Sequence, residues 1–109
     1  MIDWDRVDAL REEVGPVAFA EVVELFLEEV DEKVAQISAG RGGTAEEDMH
    51  FLKGAAINLG FSDLGALCSA SESLARSGQA EEIDLAAVFD CFEASRESFL
   101  QAANAKAMI

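Results

Sequence analysis

The segment from Thr44 to Gly60, TAEEDMHFLKGAAINLG, decides the fold. Thr44 followed three residues later by Glu47 has the pattern of a capping box, in which each residue's side chain accepts an N–H that a helix start leaves unpaired. Ala45, Met49, Leu52, Ala56 and Leu59 then recur at steps of four and three, the apolar stripe of an amphipathic helix, and Gly60 is placed to stop it.

The same punctuation repeats outward. Before the segment, Ala39-Gly40-Arg41-Gly42-Gly43 breaks an earlier stripe of Val23, Phe26, Leu27, Val30, Val34 and Ile37. Glu21, Glu24, Glu28 and Glu32 take the wet side of that helix, and Pro16 suits its first turn. A short helix from about Asp3 to Val14, with Val7, Leu10 and Val14 on one face and Gly15 as its stop, precedes it as a cover. After Gly60, Ser62 is positioned to cap a helix that turns Leu64, Leu67, Cys68, Ser71, Leu74 and Ala75 inward and ends near Ser77-Gly78. The last helix begins at Asp84, where Ile83 and Val88 have the spacing of a hydrophobic staple, and continues through Leu85, Phe92, Ser95, Phe99 and Ala102. No strand pattern is present. Four amphipathic helices with short connections predict an all-α fold, an antiparallel up-and-down four-helix bundle with a short extra N-terminal helix over one end. At 109 residues, the chain, residues 1–109, is expected to form a single domain.

Twenty-two acidic against eight basic side chains give a formal charge of -14, which repels phosphate backbones and anionic lipid. Nucleic acid and membrane are therefore excluded as partners. The acidic start Met1-Ile2-Asp3-Trp4-Asp5 lacks the basic patch and apolar run of a secretory leader, so a cytoplasmic location is expected. Cys68 and Cys91 lie at core spacings with no second Cys close in sequence, which predicts reduced packing residues rather than a zinc or redox site.

His50 is the only histidine, and its angle on the helix matters. At ~100° per residue it points roughly 140° away from the Met49–Leu52–Ala56 stripe, toward water. Lys53, Gly54 and Ile57 follow it by three, four and seven residues and share its face. A glycine inside a helix costs about 1 kcal/mol relative to Ala, so something must gain from the missing side chain. Access is the simplest gain: without a Cβ one turn on, a partner surface can come close to the ring. An exposed imidazole is largely neutral near pH 7, and its free lone pair makes it a nucleophile. A phosphoryl group placed on it would add negative charge to an acidic protein, and Lys53 is positioned to offset part of that. On the next helix Gly65, Ser69, Glu72 and Arg76 fall on one line beside the apolar stripe. Glu72 and Arg76 have the spacing of a salt bridge, and Glu72 could alternatively accept a hydrogen bond from the imidazole and fix which nitrogen is free. Ile57, Phe61 and Ser69 are the candidate docking contacts around the ring, with Gly54 keeping the approach open.

The run His50-Phe51-Leu52-Lys53-Gly54-Ala55-Ala56-Ile57-Asn58-Leu59-Gly60 closely resembles the signature of histidine-containing phosphotransfer (HPt) domains: His, any residue, Leu, Lys, Gly, small residues, then Leu-Gly. The resemblance extends through Leu64, Leu67, Cys68, Leu74 and Arg76. It implies a small helical bundle in a two-component phosphorelay, whose histidine takes a phosphoryl group from a receiver-domain aspartate and passes it to another receiver. By that resemblance His50 is the phosphoacceptor, Lys53 steadies the phosphoryl oxygens and Gly54 gives access. The implied partners are response regulator receiver domains and a sensor or hybrid histidine kinase. The module is expected to be a monomer that is not an enzyme in its own right and has no cofactor, with Mg2+ supplied by the receiver. Two positions depart from the family pattern: Met49 stands where Ala is common before the histidine, and Glu72 where several members have Gln.

Three other readings compete. A docking module could use the same face without being phosphorylated, and only His50 discriminates the two. An acyl carrier is also a small acidic bundle, but Ser62-Asp63-Leu64 reverses the usual Asp-Ser-Leu order. Autonomous nucleotide chemistry lacks its motif, because Gly40 to Gly43 is not followed by Lys-Ser/Thr.

Overall fold

Side chains that accept unpaired N–H groups set three of the helix starts. In a computed structural model, which describes residues 1–108, Asp3 caps α1 (Trp4–Val14) by accepting from the Arg6 N–H. Thr44 and Glu47 form the full reciprocal capping box at the start of α3 (Ala45–Leu59), and Asp84 accepts from the Ala87 N–H at the start of α5 (Leu85–Ala105). Between them run α2 (Phe19–Ser38) and α4 (Ser62–Arg76), and a 3-10 turn at Ala80–Glu82 joins α4 to α5.

Helices α2 to α5 form the four-helix bundle, and the chain as a whole measures 43 × 23 × 22 Å. The backbones of α3 and α4 approach most closely, and α1 packs on α3 and α2. Small residues permit that close approach: Ala55 and Ala56 of α3 are buried, and Gly65 of α4 sits beneath Ile57 and Ala56. The core is apolar, with Phe19, Met49, Leu52, Leu64, Phe92 and Phe99 at most 2% exposed. Among the described residues, no helix is long and apolar enough to cross a membrane.

The α3–α4 turn is fastened by the N-terminal segment. The Asp3 N–H donates to the Gly60 carbonyl at 2.7 Å, the Ser62 N–H donates to the Met1 carbonyl at 3.0 Å, and Ile2 forms an isolated antiparallel bridge with Phe61. Gly60 is required here twice over. Its φ of +75° is left-handed, and a Cβ would lie 2.7 Å from the Asp3 carbonyl oxygen.

Several local expectations need correction. Ser62 does not cap α4: Phe61 occupies the cap position, and the Ser62 hydroxyl donates to the Met1 carbonyl instead. Pro16 is not in the first turn of α2 but in a separate turn that leaves Val17 fully exposed and delivers Phe19 into the core. Leu85, at the open rim of α5, is 39% exposed, and the stripe of that helix ends on Ala103 rather than Ala102 because a four-residue step from Phe99 keeps it on the core side. Both cysteines are free, Cys68 fully buried and Cys91 only half-buried.

Candidate functional site

The start of α3 is anchored before it presents any chemistry. Asp48, buried among its neighbours, accepts from the Gly43 N–H at 3.1 Å and faces the Lys33 ammonium of α2 at 3.6 Å. The Lys33 nitrogen also lies 5.0 Å from the centre of the Phe51 ring. These contacts tie α3 to the preceding loop and to α2, and so fix the rotation of α3 about its own axis.

That rotation points His50 outward, with its side chain 71% exposed. Its Nδ1 lies 2.7 Å from Oε2 of Glu72 on α4. Lys53, one turn on, donates from Nζ to the other Glu72 oxygen, Oε1, at 2.5 Å. Arg76 approaches Glu72 Oε2 at 3.3 Å and donates from Nε to Glu46 Oε2 at 3.2 Å. Glu72 is thus the hub of the site, a buried carboxylate bonded from both helices.

The hydrogen bond from Lys53 holds the Glu72 carboxyl below the usual carboxylate range; burial opposes this, and the His50 contact adds to it. Glu72 is therefore ionised near neutral pH and can only accept. In a neutral ring the nitrogen facing it, Nδ1, is then the donor, and the lone pair falls to Nε2. No group among the described residues engages Nε2. With Lys53 and Arg76 offsetting its charge, Glu72 acts on the ring as a hydrogen-bond acceptor and not as an unopposed anion.

Gly54 lies exposed on the same face, and a Cβ there would meet nothing within 4 Å. No internal packing demands the glycine. Ile57 is 56% exposed and Ser69 is exposed, so both remain on the surface around the ring. Phe61 does not. It is fully buried, 5.7 Å from Phe99 between ring centres, so it belongs to the core and is withdrawn as a docking contact. Lys53, which the resemblance assigns to the phosphoryl oxygens, is paired with Glu72 in this structure.

Two partners escaped the sequence reading. Glu46, one turn before His50 on the same face, holds the outer side of Arg76, and its four-residue spacing from His50 was the available signal. Asp48 gave a weaker signal, a first-turn acid next to a Gly-Gly loop. Its burial depends on α2, which no local pattern reveals.

A family model described as Hpt domain matches residues 21–105, a span that contains all of α3 and α4. No curated protein and no solved structure gave a match to the chain.

Proposed function

The chain belongs to the Hpt domain family, whose modules serve phosphotransfer in two-component signalling as carriers and not as catalysts, and on that premise we propose that His50 carries the phosphoryl group on Nε2. The observation that carries this reading is the hydrogen bond to ionised Glu72. In the neutral ring an ionised acceptor at Nδ1 favours the proton there and leaves the lone pair to Nε2, which supports this reading.

In the proposed step the Nε2 lone pair attacks the phosphorus of a receiver's aspartyl phosphate. The N–P bond forms as the P–O bond to the aspartyl carboxylate breaks, and the freed carboxylate leaves with the bonding electron pair. Glu72 accepts the Nδ1 proton in its hydrogen bond throughout and stabilises the positive charge that develops on the ring. Lys53 and Arg76 flank the incoming group, and their attraction to its oxygens offsets charge added to a protein already at -14. Return of the group to a second receiver is the same step reversed. Mg2+ would come with the receiver, where it would offset charge on the phosphoryl group. Gly54 leaves open the approach for the receiver's surface, and Ile57 and Ser69 offer contacts beside it. In this reading residues 1–109 act as one domain and as a monomer, loaded by a sensor or hybrid kinase through its receiver.

The test is incubation with phosphorylated receivers, one by one, following acid-labile label. Label is expected on His50, with none on a folded His50→Gln protein. Label that persists in that variant overturns the assignment, and label acquired from ATP alone contradicts the carrier role.

A further inference from the structure

The donors gathered on Glu72 are not held alike. Its carboxylate is 4% exposed, and Oε2 faces both the His50 ring nitrogen at 2.7 Å and the Arg76 guanidinium at 3.3 Å, while Oε1 takes the half-buried Lys53. Arg76 divides itself between two carboxylates. Its second contact, from Nε to Glu46 Oε2 at 3.2 Å, joins side chains that are 60% and 48% exposed. An ion pair in water is worth little, so this outer contact is the one at the site that exchanges at least cost. Glu46 also stands four residues before His50, on the face the imidazole occupies. Left unpaired, it would set a second carboxylate beside the acceptor of an anionic group.

Building on the phosphotransfer reading, we propose that Glu46 is a positioning residue, a latch that parks Arg76 while His50 is unloaded and releases it to the phosphoryl oxygens when the group arrives. The cation that changes partner is then Arg76, the more exposed of the two, while Lys53 stays on the buried carboxylate. A planar guanidinium suits the exchange, because the same fork of N–H groups fits a carboxylate or a phosphoryl group. The bonds made and broken are unchanged: N–P forms at Nε2 as the aspartyl P–O bond breaks, and the exchange of ion pairs moves no proton. Because the Glu46–Arg76 pair exists only in the unloaded protein, it favours that state. The latch thereby shifts the sharing of the phosphoryl group toward the receiver and makes the carrier readier to pass it on.

The full chain is mixed with one phosphorylated receiver, and the partition of acid-labile label between the two proteins is read once exchange reaches its plateau. Glu46→Gln should raise the partition toward the carrier by about twofold to fivefold, the range an exposed ion pair supports. In an Arg76→Gln background the same change should raise it less, because no guanidinium remains to be released. The charge of Glu46 acting alone predicts the reverse, a larger rise once Arg76 no longer offsets it. Glu24→Gln, which removes an exposed carboxylate from α2, should partition as the parent does. In ¹⁵N spectra the Arg76 Nε–H resonance of the parent should shift on loading. The latch is overturned by an unchanged partition in Glu46→Gln, by an equal or larger rise in the Arg76→Gln background, by the same rise in Glu24→Gln, or by an Arg76 resonance that loading does not move. A parent that takes no label on His50 overturns the phosphotransfer reading and the latch together, whereas a labelled parent with any of those results overturns the latch alone.

Discussion

Nδ1 of His50 on α3 and Oε2 of Glu72 on α4 lie 2.7 Å apart, and this one contact between neighbouring helices gives one ring nitrogen a carboxylate partner. Both helices must be in register for it to form. The site is thereby made by the packing of the bundle.

Loss of the acceptor should be felt at the ring before it is felt in the fold. Glu72→Ala is expected to slow phosphoryl transfer to His50 by about tenfold or more, the range seen when a group that orients an active histidine is removed. Imidazole ¹⁵N spectra should show Nδ1 protonated in the parent and a mixture of tautomers in the variant. A variant with parental transfer and a parental tautomer would remove Glu72 from the mechanism.

Acid should dismantle the same site. Because the Lys53 and His50 hydrogen bonds hold Glu72 below the usual carboxylate range, its contribution to stability is complete above the unfolded-state value of ~4.3 and is lost as pH falls through the lower folded-state value. Glu47 behaves alike, lowered by its bonds to Thr44. Carboxyl ¹³C titration should place both below an ordinary glutamate, with release of Lys53 accompanying protonation of Glu72. Titration of Glu72 at or above the ordinary value would contradict the hub geometry.

Gly54 should trade stability against access. Gly54→Ala meets no atom within 4 Å and replaces a poor helix former, so thermal unfolding should report a gain of about 0.5–1 kcal/mol. Gly54→Gln, equally helical, should slow transfer from a phosphorylated receiver. An unaltered rate in the Gln variant would show that the glycine does not serve approach.

Phe61 should behave as a core residue. Phe61→Ala is expected to cost about 3–5 kcal/mol in denaturant unfolding, because it empties a site packed against Phe99. Ile57→Ala, at an exposed position, should leave stability within about 0.5 kcal/mol of the parent while weakening receiver binding. The opposite pattern would return Phe61 to the docking face.

The thiols should be quiet. Burial pushes the Cys68 thiol up to about 12, so near neutral pH it stays protonated and unreactive. Native protein treated with a maleimide is expected to leave Cys68 unmodified by mass, with Cys91 reacting first and slowly, since burial raises it too. Rapid labelling of Cys68 without denaturant would show that α4 opens far more readily than its packing implies.

Helix positions, the outward angle of His50 and the shared face of Lys53, Gly54 and Ile57 were legible in the sequence because each depends on spacing within one helix. The same holds for the capping box at Thr44 and the stop at Gly60. Angular reading faltered at helix ends, where rotation alone does not say whether a side chain meets core or water. Phe61 looked available from its place after Gly60, yet it is sealed in by Ile2 and Phe99.

What the chain determined by itself is local: which stretches are helical and where most of them stop, which faces are apolar, and which residues flank the imidazole within a turn or two. What only the tertiary structure decided is how helices meet. Glu72 belongs to the histidine because α3 and α4 pack closely enough for a carboxylate to reach the ring, across 22 positions of sequence. Asp48 is buried because α2 packs beside it, with the Lys33 ammonium facing its carboxylate. Hydrogen bonds within a helix follow from neighbours along the backbone, whereas charge pairing and burial arise from surfaces brought together only by packing.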